Sequence, residues 1–192
     1  HPKYIGKLMT IFNSANTPER KAFSCLLMGC FEQLWRGNLI PELAALLQDI
    51  HLLASHQINE VDYTGSVKDI TQLIQGFNIG WINDFKSEII DINCTFAGSC
   101  LVNGADAQMI IGNRLIDMKT TSKRQPFSQK DLYQQISYVL LDFEDLWKLK
   151  EIVWVYPRQK MFLTYSIADL FPDLLILRQE LEQSFSSSIR HQ

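Results

Sequence analysis

The chain has 192 residues, 46% of them hydrophobic and 20% charged, a balance that lets a domain of ordinary size bury a core. No apolar run approaches the roughly 18 residues of a membrane span; runs such as Cys25, Leu26, Leu27 and Met28 are far shorter. Eighteen Lys and Arg against 21 Asp and Glu leave a net charge of −3, which argues against an all-over basic coat for nucleic acid but leaves room for a local basic patch.

The four cysteines, Cys25, Cys30, Cys94 and Cys100, lack the C-x-x-C spacing of a zinc knuckle. With no signal peptide visible, reduced thiols in a cytoplasmic protein are expected. His1 and His191 lie at the ends and His51 and His56 are five apart, so a histidine-rich metal site is not expected. The chain opens on His1-Pro2 without Met, which reads as a processed product or a piece of a longer protein.

In chain order, the first half reads as helical. Thr17-Pro18-Glu19 is a helix start, followed by Leu26, Leu27, Cys30, Phe31, Leu34 and Trp35 at three- and four-residue steps. Pro41 opens a second helical stretch with Leu43, Leu46, Leu47, Ile50 and Leu53. A third, from Thr64 to about Asn83, carries Val67, Ile70, Leu73, Ile74, Phe77 and Trp81. The texture changes at Glu88, where residues 88–93 read as a strand. Residues 105–111 and 114–119 are two more, joined by Gly112-Asn113, a dipeptide suited to a two-residue hairpin. A helix over 128–148 follows, burying Leu132, Ile136, Val139, Leu140 and Phe143. Then come strands at 151–156 and 161–166, and a helix from Asp169 to Ser186 that frays at Ser186-Ser187-Ser188. The order predicts an α/β (α+β) domain: a central mixed sheet flanked by helices, with a helical N-terminal half.

The hairpin concentrates the chemistry. If Ile111 faces Arg114, Asp106 falls opposite Lys119 and Gln108 opposite Asp117, all on one face. Ala107, Met109, Ile111, Ile116 and Met118 occupy the other face, as a core requires. Asp106 and Asp117 become diagonal neighbours, roughly 7–8 Å apart at the backbone. Two carboxylates beside a lysine suit a Mg²⁺ site that also takes substrate phosphate, with Lys119 positioning a water or offsetting charge at phosphorus. The plainer alternative is a surface ladder of opposite charges across a hairpin.

Gly104-x-Asp106, then Leu115-Ile116-Asp117-Met118-Lys119-Thr120, then Gln134-x-x-x-Tyr138 resembles the PD-(D/E)XK nuclease superfamily. The last element looks like its RecB-type branch. The motifs cover roughly a third of the chain, and more of it agrees in element order. The resemblance implies a restriction-endonuclease-like core and a Mg²⁺- or Mn²⁺-dependent nuclease cutting phosphodiester bonds, in DNA rather than RNA. It implies Asp106 and Asp117 as metal ligands and Lys119 as catalytic lysine, with Gln134 and Tyr138 flanking the site from a helix face shared with Lys130. It makes 1–192 a single nuclease-like domain, with a helical part at 1–63, the core at 64–166 and a C-terminal helix at 167–192.

The sequence also departs from the branch pattern. An early-helix histidine common in the branch is matched here by Thr10, after Tyr4-Ile5-Gly6. Glu60, Glu88 and Asp91 are the remaining candidates for a third carboxylate. Some branch members carry an iron–sulfur cluster on C-terminal cysteines; with no Cys after Cys100, none is expected here.

Arg114, Lys119, Lys123, Arg124 and Lys130 cluster between 114 and 130, next to the hydroxyls of Thr120-Thr121-Ser122. Of these, Lys123, Arg124 and Lys130 are the candidate nucleic-acid contacts, able to hold a backbone without reading bases; a solvated loop is the alternative. Arg158 and Lys160 read as ordinary surface. Trp35, Trp81, Trp147 and Trp154 read as core. Ser99 lacks the G-x-S-x-G elbow, and residues 98–104 form neither a dinucleotide fingerprint nor a P-loop. Expected partners are nucleic acid and a further protein or domain, with no membrane. Two rivals stand beside the nuclease: an inactive nuclease-fold module that binds nucleic acid or acts as a scaffold, and an interaction domain with an accidental charge ladder.

Overall fold

The computed structural model describes residues 2–35, 64–76 and 89–189. The chain divides into two compact units, His1–Gln75 and Gly76–Gln192. The expected helix after Pro41, His51, His56, Glu60, Trp81, Glu88 and the end of the third helical stretch lie outside the described residues.

In the first unit, α1 (Pro2–Ser14) and α2 (Pro18–Trp35) pack on one another. The start signal acts as its chemistry requires. Pro18 has no N–H to lose at the first helical position, and the Arg20 N–H donates to Thr17 Oγ1 at 3.2 Å. Ala22, Phe23 and Leu27 are buried on α2. The helix α3 (Thr64–Gly76) follows.

The second unit is a five-stranded mixed sheet in the order β1 (Ile90–Thr95), β2 (Asp106–Ile111), β3 (Arg114–Met118), β4 (Glu151–Tyr156), β5 (Met161–Ser166). The first three strands form an antiparallel meander, β3 and β4 are parallel, and β5 returns antiparallel. A parallel pair needs a crossover, and α4 (Gln129–Leu141) provides it. The fold is thus α+β, a mixed sheet flanked by helices. Cys94, Ala107, Ile110, Leu115, Val139, Ile152, Trp154 and Tyr156 share one apolar cluster with residues of α4; Ile111, Ile116, Val153 and Val155 form a second, with Met109 and Met118.

The hairpin closes as its dipeptide predicts. Ile111 pairs with Arg114, and Gly112 takes a φ of +58°. Beyond it the expected strict alternation fails. Ala107 packs with Ile110 and Leu115, while Met109 and Ile111 belong to the second cluster, so β2 changes face around Gln108. Its neighbour β1 changes face at the same level, where Asn93 takes a left-handed φ of +53° between Ile92 and Cys94. Asn tolerates that conformation better than most residues. The β2–β3 ladder runs only to Met109–Ile116, and past it Gln108 Oε1 accepts the Met118 N–H. An amide side chain there replaces the backbone partner, and the predicted Gln108–Asp117 and Asp106–Lys119 cross-strand pairs do not form as ladder pairs.

Two helix ends also differ from expectation. The helix expected to Lys148 stops at Leu141, because buried Asp142 turns its carboxylate onto the Leu146 and Trp147 N–H groups at 3.0 and 3.3 Å. Arg178 closes this corner from the C-terminal helix, donating from Nε to Val139 O at 2.9 Å and from a terminal nitrogen to Asp145 Oδ1 at 2.8 Å. The C-terminal helix is split into α5 (Ile167–Leu170) and α6 (Leu174–Ile189). Pro172 disfavours helical geometry at Phe171, which sits at φ −136° and ψ 82°. No fraying is seen at Ser186, since α6 runs on to Ile189.

Candidate active site

The parallel β3–β4 pair and its crossover helix build the site. Asp117 lies on β3 opposite Trp154, and the pairing extends one step past the strand through the Lys119 N–H, which donates to Val155 O at 2.9 Å. Asp117 shares the face of Leu115, turned toward α4, and is only 6% exposed. Lys119 Nζ lies 3.0 Å from Asp117 Oδ2 and donates to Gln134 Oε1 at 3.2 Å. Gln134 Nε2 donates in turn to the Tyr138 hydroxyl at 2.9 Å. Asp117, Lys119, Gln134 and Tyr138, singled out from sequence, therefore form one connected chain of polar contacts.

Asp106 is placed differently. It opens β2 opposite Thr95, between Ala105 and Ala107, which both pack into the α4-side cluster. Strand alternation sends the intervening side chain to the other side, where Asp106 is exposed.

The second carboxylate at Lys119 is Asp131, which the sequence reading passed over. Ser128 caps α4, and Asp131, three residues on, closes a capping box: its Oδ2 accepts the Ser128 N–H at 3.1 Å and the Ser128 hydroxyl at 2.7 Å. Its Oδ1 stands 3.6 Å from Lys119 Nζ. The signal was a Ser-x-x-Asp spacing ahead of an apolar helix. Gln135 and Tyr156 were passed over too. They are 1% and 0% exposed, and Gln135 Oε1 and Tyr156 OH are buried without a hydrogen-bond partner.

The electrostatics follow from this burial. Desolvation pushes the Asp117 carboxyl above its ordinary range, and Asp131 adds to the push; Lys119 and Gln135 oppose it. Burial, with Asp131 and Asp117 nearby, lifts the Tyr156 phenol to about 12. Among the described residues no three His, Cys, Asp or Glu side chains gather as a metal group. Mg²⁺ is nevertheless commonly held by one or two carboxylates plus substrate phosphate and water. The buried Asp117 carboxylate, with Asp131 Oδ1 and Gln134 Oε1 around the same ammonium, offers hard oxygens of the kind such an ion takes.

The loop from Lys119 to Phe127 is fastened from the turn after β4. Arg158 Nε donates to Thr120 O at 2.9 Å, and Gln159 Nε2 donates to Thr121 O and Lys123 O at 3.0 and 2.6 Å. Arg158, read as ordinary surface, thus holds this loop. Lys123, Arg124 and Lys130 are exposed on the loop and the first turn of α4. Ser99 has a structural role: its hydroxyl donates to Ala105 O at 2.6 Å and accepts the Phe96 N–H at 2.8 Å. Trp154 is buried, and Trp147 packs at the core with its indole N–H on Thr95 O.

Comparison with protein-family models, curated proteins and solved structures gives no match to this chain. No helix among the described residues is long and apolar enough to cross a membrane.

Proposed function

We propose that the chain is a Mg²⁺- or Mn²⁺-dependent nuclease of the PD-(D/E)XK type that hydrolyses phosphodiester bonds, in DNA rather than RNA. The observation that carries this reading is the contact of Lys119, one step past β3, with both Asp117 on β3 and Gln134 on the crossover helix that follows. The meander β1–β3, helix and parallel β4 agree with the element order of a restriction-endonuclease-like core. Asp117 contributes hard carboxylate oxygen. A bound divalent ion would supply charge for the phosphoryl oxygens and acidify a water. Lys119 places its ammonium to orient the attacking water and offset charge developing at phosphorus. Gln134 holds that ammonium, and Tyr138 holds Gln134. Lys123, Arg124 and Lys130 are the candidates to take the nucleic-acid backbone by charge alone.

The test is a cleavage panel of linear, circular, single- and double-stranded DNA and RNA with Mg²⁺ and Mn²⁺. Wild type should cut DNA only with the metal present, and Asp117→Asn or Lys119→Ala should abolish cutting while circular dichroism stays native. Undiminished cleavage by both variants would overturn the assignment. The alternative is an inactive nuclease-fold module that binds nucleic acid or serves as a scaffold. It is favoured by the placement of Asp106 on the side away from Asp117, and it predicts nucleic-acid binding with no cutting on any substrate.

A further inference from the structure

The polar cluster at the start of α4 holds more oxygen than donors. Asp117 Oδ2, Gln134 Oε1 and Asp131 Oδ1 lie 3.0, 3.2 and 3.6 Å from one ammonium, Lys119 Nζ. Buried groups of this kind are normally satisfied, yet Gln135 Oε1 and Tyr156 OH have no hydrogen-bond partner, and Asp117 Oδ2 faces only the Lys119 ammonium. Gln135 and Tyr156 are 1% and 0% exposed, and both lie within electrostatic reach of the carboxylates, Gln135 of Asp117 and the Tyr156 phenol of Asp131 and Asp117. The shortfall in positive charge and donors is what a divalent cation corrects, since Mg²⁺ and Mn²⁺ take hard oxygen ligands.

We infer that the carboxylate pair for the divalent ion is Asp117 with Asp131, one from β3 and one from the first turn of the crossover helix, and not Asp117 with Asp106. The inference rests on the metal-dependent reading above and changes its ligand set. The capping box prepares Asp131 for this. Ser128 occupies Oδ2 and fixes the side chain, leaving Oδ1 turned to the site. Asp106, on the opposite side of β2, then has no part in metal binding.

Mn²⁺ binding is measured on the full chain without nucleic acid, by calorimetry and by loss of the free-ion paramagnetic resonance signal. Wild type binds Mn²⁺, Asp131→Asn weakens binding about tenfold or more, and Asp106→Asn stays within about twofold of wild type. Ser128→Ala loosens Asp131 but keeps its carboxylate, so it weakens Mn²⁺ binding less than Asp131→Asn does, and an equal loss in both would point to helix damage and overturn the inference. The inference is overturned if wild type does not bind Mn²⁺, if Asp131→Asn binds as wild type does, or if Asp106→Asn loses as much as Asp131→Asn. A wild-type chain that binds Mn²⁺ through Asp131 but cuts no nucleic acid leaves this inference standing and removes the nuclease reading.

Discussion

Lys119 Nζ stands 3.0 Å from Asp117 Oδ2, an ion pair whose carboxylate is almost wholly buried. Proximity of an ammonium supplies Coulomb energy but not the full solvation a carboxylate loses on burial. The folded state therefore holds the Asp117 proton more tightly than the unfolded chain does. Between the ordinary carboxylate range near 3.8 and the raised folded value, the native state binds more protons, so its stability falls as pH rises through that window. In metal-free buffer, Asp117→Asn is expected to flatten this slope. Urea unfolding from pH 4 to 8 with chelator checks it; equal slopes for the two proteins would contradict the account.

Gln134 joins Lys119 to Tyr138. Removing its amide leaves Lys119 Nζ less constrained without altering the strand that carries it. On the nuclease reading, Gln134→Ala lowers kcat about tenfold and leaves KM near wild type, because the loss falls on the orientation of the ammonium rather than on substrate binding. Steady-state cleavage of the best DNA substrate separates the two constants.

Arg178 and Asp142 are each 1% or less exposed. With Asp145 they tie α6 to the end of α4. Arg178→Ala strands a buried carboxylate and frees the Val139 carbonyl, at a cost of about 3–5 kcal/mol. Chemical denaturation measures it, and the loss should shrink at low pH, where Asp142, already raised by burial, is protonated.

Gly98 meets the far end of α4. A Cβ there would stand 2.7 Å from Leu141 Cδ2 and 2.8 Å from the Phe143 ring. The Gly98 N–H also donates to Leu141 O at 2.9 Å, which holds the two segments together. Gly98→Ala is expected to cost about 1–3 kcal/mol through overpacking, read as a lower thermal midpoint with native circular dichroism.

The strands at 151–156 and 161–166 were legible to the residue because β-branched and aromatic runs bounded by turn residues encode them locally. The hairpin at Gly112 was legible for the same reason. The end of α4 was not, since Asp142 stops the helix by bonding to N–H groups four and five residues on and by meeting Arg178, 36 residues away. The split at Phe171 had a local signal in Pro172 that the apolar periodicity on either side obscured.

The sequence by itself determined which residues could carry the chemistry and the order of strands and helix that brings most of them together. Asp117, Lys119, Gln134 and Tyr138 meet because a lysine two residues beyond a strand aspartate, and a four-residue helical step, are local geometry. Only the tertiary structure decided which second carboxylate stands at Lys119. That depends on where β2 changes face at Gln108, beside left-handed Asn93 on β1, and on how the capped end of α4 sits over β3. Strand alternation is reliable only while the ladder is regular, and here the ladder ends one residue short of the site.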